Sequence, residues 1–256
     1  MKKIILLLLV TFNLFAQKSI KVSYEEITTF KESFFDALPE NDREFFKKKL
    51  NSPKKFELIN NGDYSLYHTI DEKDEKIPSN ELPEAGVINQ GTIFKALNIW
   101  ILKDFISLKT FERRELEDSY YLKNDFRKEN FVFTNKEKTI DNYKCKMAYI
   151  LNVKKPTDTI KYWYTPEIPI LDGPYYTVGL PGLVLRYERE QRVIYATKIE
   201  YFDKKVPIES LDSKIKIITD EDFKFLYNES LKQKNYTDEK GNIHNVESKI
   251  YKNNKK

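Results

Sequence analysis

Residues suited to nucleophilic or metal chemistry are few in this chain: one cysteine, Cys145, and two histidines, His68 and His244. A transition-metal site draws on three or four nitrogen, sulfur or carboxylate ligands, and these three residues share no ligand spacing. No metal and no cofactor are expected. The Gly-x-Ser-x-Gly and Ser-x-x-Lys nucleophile signatures are absent, and Cys145, between Lys144 and Lys146, lacks the flanks of a catalytic thiol. Carboxylates are abundant. Glu25/Glu26, Asp71/Glu72, Glu112/Glu115/Glu117/Asp118 and Glu188/Glu190 could each supply a pair for general acid–base work. Each group alternates with Lys or Arg and reads as a solvated face. The chemistry-bearing residues therefore predict a non-enzymatic protein.

One segment stands apart. Three of the 7 glycines and four of the 10 prolines fall within residues 166–182, so this stretch cannot be a continuous ladder strand. It contains Pro166, Pro169, Gly173, Pro174, Gly179, Leu180, Pro181 and Gly182, with Trp163, Tyr164, Tyr175 and Tyr176 around them. Pro181-Gly182 suits the middle of a type II turn, with Gly182 at the position of positive φ. A phosphate-cradling loop is excluded, because Pro181 interrupts it and no Lys-Ser/Thr follows. Two roles stay open: a rigid corner needed for folding, or a rim around a binding surface.

The elements that must hold this segment are mostly strands. Ile20 to Phe30 reads as a strand, and Asn41 with Glu44 marks the start of a short helix carrying Phe45, Phe46 and Leu50. Phe56–Ile59 and Tyr64–Ile70 flank Asn60-Asn61-Gly62-Asp63, a hairpin signal. Residues 71–91 read as a charged loop. Beyond Gly91, short β-forming runs follow: residues 99–103, 105–111, 120–122, 131–134, 143–153 and 159–164. Ile99, Ile101 and Lys103 share one face of the first of these. A last hairpin joins Leu183–Tyr187 to Val193–Tyr201, with Val193, Tyr195, Thr197, Ile199 and Tyr201 expected on one face. Asp220–Lys232 reads as a helix capped by Asp220. The fold class is mainly β (α+β): an antiparallel meander or curved sheet with a few helices. At fold level it resembles the half-barrel of periplasmic lipoprotein carriers.

Lys2 and Lys3, the apolar run to Phe15 and the small Ala16 have the layout of a secretory signal peptide, too short for a spanning helix. Residues 1–16 are read as the signal and 17–256 as a single β-rich domain, with no transmembrane segment after cleavage. Removing 1–16 lowers the formal net charge from +4 to near +2, a balance that excludes nucleic acid as an electrostatic partner. A single cysteine cannot form an internal disulfide, so Cys145 reads as a buried thiol.

The motif Gly179-Leu180-Pro181-Gly182-Leu183-Val184 resembles that of the GLPGLI family (Porph_ging) of exported Bacteroidetes proteins. Tyr143-Lys144-Cys145-Lys146-Met147-Ala148, Trp163-Tyr164-Thr165 with Ile168-Pro169, and Gly173-Pro174 resemble further blocks of that family. The resemblance implies a periplasmic or extracellular protein of the Gram-negative envelope and no particular activity. The expected function is non-enzymatic binding of an apolar small molecule or lipid, with Trp163, Tyr164, Ile168, Tyr175, Tyr176 and Leu183 as ligand-binding residues. A module docking on another cell-envelope protein and a hydrolase with an unrecognised site are the alternatives.

Overall fold

Runs of alternating apolar residues build one large sheet. In the computed structural model the described residues are 19–36, 40–70, 75–76, 93–94, 98–151, 158–233, 236–237 and 243–244. The elements in order are β1 (Ser19–Thr28), α1 (Glu32–Asp36), α2 (Glu40–Leu50), β2 (Lys54–Asn60), β3 (Tyr64–Thr69), β4 (Glu75–Lys76), β5 (Ile93–Phe94), β6 (Trp100–Asp104), β7 (Lys109–Glu115) and β8 (Ser119–Asp125). There follow β9 (Val132–Ile140), β10 (Tyr143–Leu151), β11 (Thr159–Thr165), β12 (Leu183–Arg189), β13 (Arg192–Phe202), β14 (Lys216–Ile218), α3 (Asp220–Gln233), β15 (Tyr236–Thr237) and β16 (Ile243–His244). The main sheet has twelve strands in the order β14-β8-β7-β6-β3-β2-β1-β13-β12-β11-β10-β9. It is antiparallel except for β14, which runs parallel to β8. The expected fold class, an antiparallel-dominated sheet with few helices, is what forms.

The sheet is strongly curved. The ring of Tyr175 lies 5.3 Å from that of Tyr67 on β3 and 6.1 Å from that of Tyr187 on β12, which puts those two rings within about 11 Å of each other. On a flat sheet, four strand spacings would hold them ~19 Å apart. The face carrying Tyr24, Phe56, Tyr67, Tyr162 and Tyr187 is therefore concave. Residues 166–182 fold back into this concavity, burying Ile168, Val178 and Leu180. On the opposite face Leu66, Trp100, Leu102, Phe111 and Tyr121 form a second cluster, covered by Ile208, Leu211 and Ile215.

Several local expectations are corrected. The turn at Pro181-Gly182 is not type II: Gly182 sits at φ +146°, far from the roughly +80° of that turn, and the Leu183 amide donates to Ile168 O at 3.0 Å. Gly182, at φ +146°, is required instead by close approach: a Cβ there would stand 2.1 Å from Thr165 O. The expected single face of β13 is broken by a bulge, with register passing from Ser23↔Lys198 to Tyr24↔Ala196. One extra residue moves every side chain beyond it to the other face, so Ile194 (0% exposed) points into the core and Tyr195 away from it. Residues 105–108 form a turn rather than the start of a strand. Helix α3 is capped by Thr219, not Asp220: Thr219 Oγ1 accepts from the Asp222 amide at 3.1 Å, and Asp222 Oδ2 accepts from the Thr219 amide at 3.2 Å. The signal segment 1–16 lies outside the described residues, as does the loop 71–91 apart from β4.

Candidate functional site on the concave face

A buried ion pair anchors the loop. Lys103 follows Ile99 and Ile101 in the strand alternation, so its side chain enters the core, where it is fully buried. Its ammonium bonds Asp172 Oδ1, Gly173 O at 2.7 Å and Thr177 O at 3.4 Å, which engages all three of its protons. Asp172 is also buried. Its Oδ2 accepts from Asn60 Nδ2 at 2.8 Å and its Oδ1 from the Gly173 amide at 2.8 Å. Burial pushes the Lys103 ammonium below the ordinary lysine value, and Asp172 opposes that shift. Gly173 is glycine because a Cβ would lie 2.7 Å from Val184 Cβ. Tyr24 adds a further tie, donating to Val184 O at 2.6 Å.

The lock aims two tyrosines. Tyr175 takes the left-handed conformation at φ +55°, a strain of ~1–2 kcal/mol for a residue with a side chain. Its hydroxyl donates to Glu26 Oε2 at 2.7 Å. Tyr176 donates to Glu112 Oε2, and the Arg127 guanidinium lies 4.6 Å from its ring centre. Arg192 pairs with Glu26 at 3.5 Å, and Arg114 pairs with Glu112 at 2.6 Å. Burial first, and then the adjacent carboxylate, push both phenols well above the ordinary tyrosine value. Glu26 and Glu112 were expected on solvated faces. Their strands instead turn them toward the loop, and Glu26 is only 3% exposed.

Beside the tyrosines lies a cavity of about 210 Å³ whose walls include Tyr162, Tyr187, Arg127, Glu129, Arg189 and Arg192. Arg189 holds Asp158 with two bonds of 2.8 and 2.6 Å. The lining thus combines aromatic rings with fixed donors and acceptors. Among the described residues no group of three or more metal-ligating side chains occurs.

The residues singled out from the sequence separate here. Tyr175 and Tyr176 reach the cavity. Tyr164, Ile168 and Leu183 are buried in the core, and Trp163 lies under Lys138, 3.9 Å from its ring centre. Of the loop motif, Gly173 and Gly182 meet backbone or core at close approach, and Gly179 adopts φ +87°. Leu180 is core, while Pro169, Pro174 and Pro181 lie in the same loop. His68 contacts Glu57 at 3.6 Å and the Thr69 carbonyl at 3.0 Å, away from the cavity. The side chain of His244 lies outside the described residues. Sequence reading missed Lys103, Asp172 and Asn60, and the arginines of the cavity. The one available signal was a lysine on the apolar face of β6.

The fold has counterparts among known proteins. Residues 103–224, just under half of the chain, match the model of the family described as N-glycanase peptide, N-terminal domain. Two solved structures share the fold. PNGF-II in space group P21 has a TM-score of 0.52 at 17% identity, covering 84% of this chain and 34% of that one. PNGF-II in space group C2 gives 0.51 at 16%, with 83% and 33% covered. The chain spans about a third of the length of those proteins. The comparison with curated proteins found no match.

These findings overturn two expectations. The matching family is the N-glycanase domain and not the GLPGLI family, so the resemblance read from residues 143–185 is corrected. Its hexapeptide reflects local packing demands, the contact of Gly182 with Thr165 above all. Binding of an apolar ligand or lipid is overturned as well. The concavity that would have held it is filled by Ile168, Val178 and Leu180, and the cavity left beside the loop mixes aromatic and apolar side chains with charged groups and hydroxyls.

Proposed function

We propose that the concave cavity binds a sugar residue of a protein-linked glycan, and that the chain serves N-glycan processing as a recognition unit rather than as its hydrolytic centre. The carrying observation is the pair Tyr175–Tyr176, each hydrogen-bonded to a carboxylate that also pairs with an arginine. Sugars offer apolar C–H faces and ring hydroxyls. Fixed aromatic rings with neighbouring donors and acceptors match both. The N-glycanase description of the matching family supports glycans as the ligand class. Because Glu26 and Glu112 are each held by a phenol and a guanidinium, they act as anchors for the tyrosines.

Export to the periplasm or beyond belongs to this reading, in keeping with the signal-peptide layout of residues 1–16. Among the described residues no helix is long and apolar enough to cross a membrane.

The test is a calorimetric titration of the full chain with an N-glycopeptide and with the same peptide lacking its glycan. The glycopeptide should bind, and Tyr176→Ala should weaken it by about tenfold or more while the thermal midpoint shows a folded protein. Equal binding of the bare peptide contradicts the proposal. A second reading, hydrolysis by this chain, rests on Glu129 lining the same cavity as Arg189 and Arg192. Release of free glycan during the titration, abolished by Glu129→Gln, would establish it.

A further inference from the structure

We infer that the cavity accepts a single uncharged sugar at the tip of a glycan branch and discriminates against acidic sugars. This rests on the glycan reading above and adds the ligand's size and charge.

Size comes first. At about 210 Å³ the cavity falls below the ~300–1,000 Å³ that encloses drug-sized ligands. That is room for one ring, not for a run of linked sugars.

Charge is the second argument. Three guanidinium groups line the cavity, which at first sight suggests an anion site. Two of them are already matched. Arg189 is held by two bonds to Asp158, itself only 5% exposed. Arg192 faces the buried Glu26 and also approaches the Tyr175 hydroxyl at 3.5 Å. Arg127 lies over the Tyr176 ring, 4.6 Å from its centre, and Glu129 lines the same cavity. A carboxylate entering this lining would lose water and meet, at Arg189 and Arg192, cations already compensated by Asp158 and Glu26, which is unfavourable. The remaining cation, Arg127, is exposed, so a pair with it would contribute little. Hydroxyls of a neutral sugar can donate to and accept from the same groups without a change of net charge.

The experiment titrates the full chain with the desialylated and the sialylated forms of one biantennary N-glycopeptide. The desialylated form should bind about tenfold more tightly. In Glu129→Gln, where one negative charge of the cavity is gone, the gap should narrow, with circular dichroism unchanged. Equal or tighter binding of the sialylated form overturns this inference and leaves the glycan reading standing. A gap untouched by Glu129→Gln overturns the charge-balance basis. Binding of neither form overturns both.

Discussion

Lys103 and Asp172 show what one misplaced-looking side chain can decide. With both partners fully buried, removing one leaves an unpaired charge in the core. Lys103→Met should therefore destabilise the fold by ~3–5 kcal/mol in urea unfolding, and replacing both with apolar residues should restore part of that. Gly182→Ala forces a Cβ against the Thr165 carbonyl and should cost about 3 kcal/mol or more by the same measure. Cys145 is buried and its thiol is pushed up to about 11, mainly by burial. Alkylation at pH 8 should be slow in the native protein and fast once it unfolds. Residue roles were only partly legible in the sequence. A clustering of Gly, Pro and Tyr located the loop that builds the site, since backbone constraint is written in those residue types. The partners of that loop were not legible, because Asp172 lies 69 positions from Lys103 and 112 from Asn60, and only the folded sheet brings them together.

Elements with a strong local signal formed where expected. The β2–β3 and β12–β13 hairpins did so because turn chemistry and alternation act over a few residues: Gly62 supplies φ +89°, and the Asn61 side chain accepts from the Asp63 and Tyr64 amides at 3.2 and 3.0 Å. The bulge opposite Ser23 and Tyr24 was illegible, since nothing in the alternation of β13 announces an extra residue. The bulge changes which β13 residues face β1, so that Tyr24 and Glu26 pair with Ala196 and Ile194. Glu26 itself follows Ile20, Val22 and Tyr24 in the unbroken alternation of β1 onto the core face, within reach of Tyr175. The cap of α3 gives a local check. Thr219→Ala removes the acceptor for the Asp222 amide and should lower stability by ~1 kcal/mol, with Thr219→Asp largely retaining it.

At the scale of the whole molecule, the concave face is held by tyrosines that must stay neutral. Tyr24, Tyr67, Tyr162, Tyr175, Tyr176 and Tyr187 are all pushed above the ordinary value, burial being the first cause for each. Their folded-state pKa lies above the unfolded one. The stabilisation is therefore complete below pH ~10 and is lost as pH rises beyond it, because the unfolded chain then releases protons that the native chain retains. Thermal midpoints should hold up to about pH 10 and then fall steeply. Phenolate absorbance at 295 nm should show fewer than the 17 tyrosines titrating until the sheet unfolds. The curvature that collects these rings was anticipated as a sheet bent around a groove. What fills it was not, because the occupant is a loop of the same chain, anchored in part by an ion pair between residues 69 positions apart.

The central claim is that the cavity beside Tyr175 and Tyr176 holds a glycan sugar, and a crystal structure of the full chain with a desialylated N-glycopeptide tests it most directly. The account predicts one sugar ring in the cavity, against Tyr176 and within hydrogen-bond distance of Arg189 or Glu129. A sugar bound elsewhere on the chain, with this cavity unchanged, would contradict it.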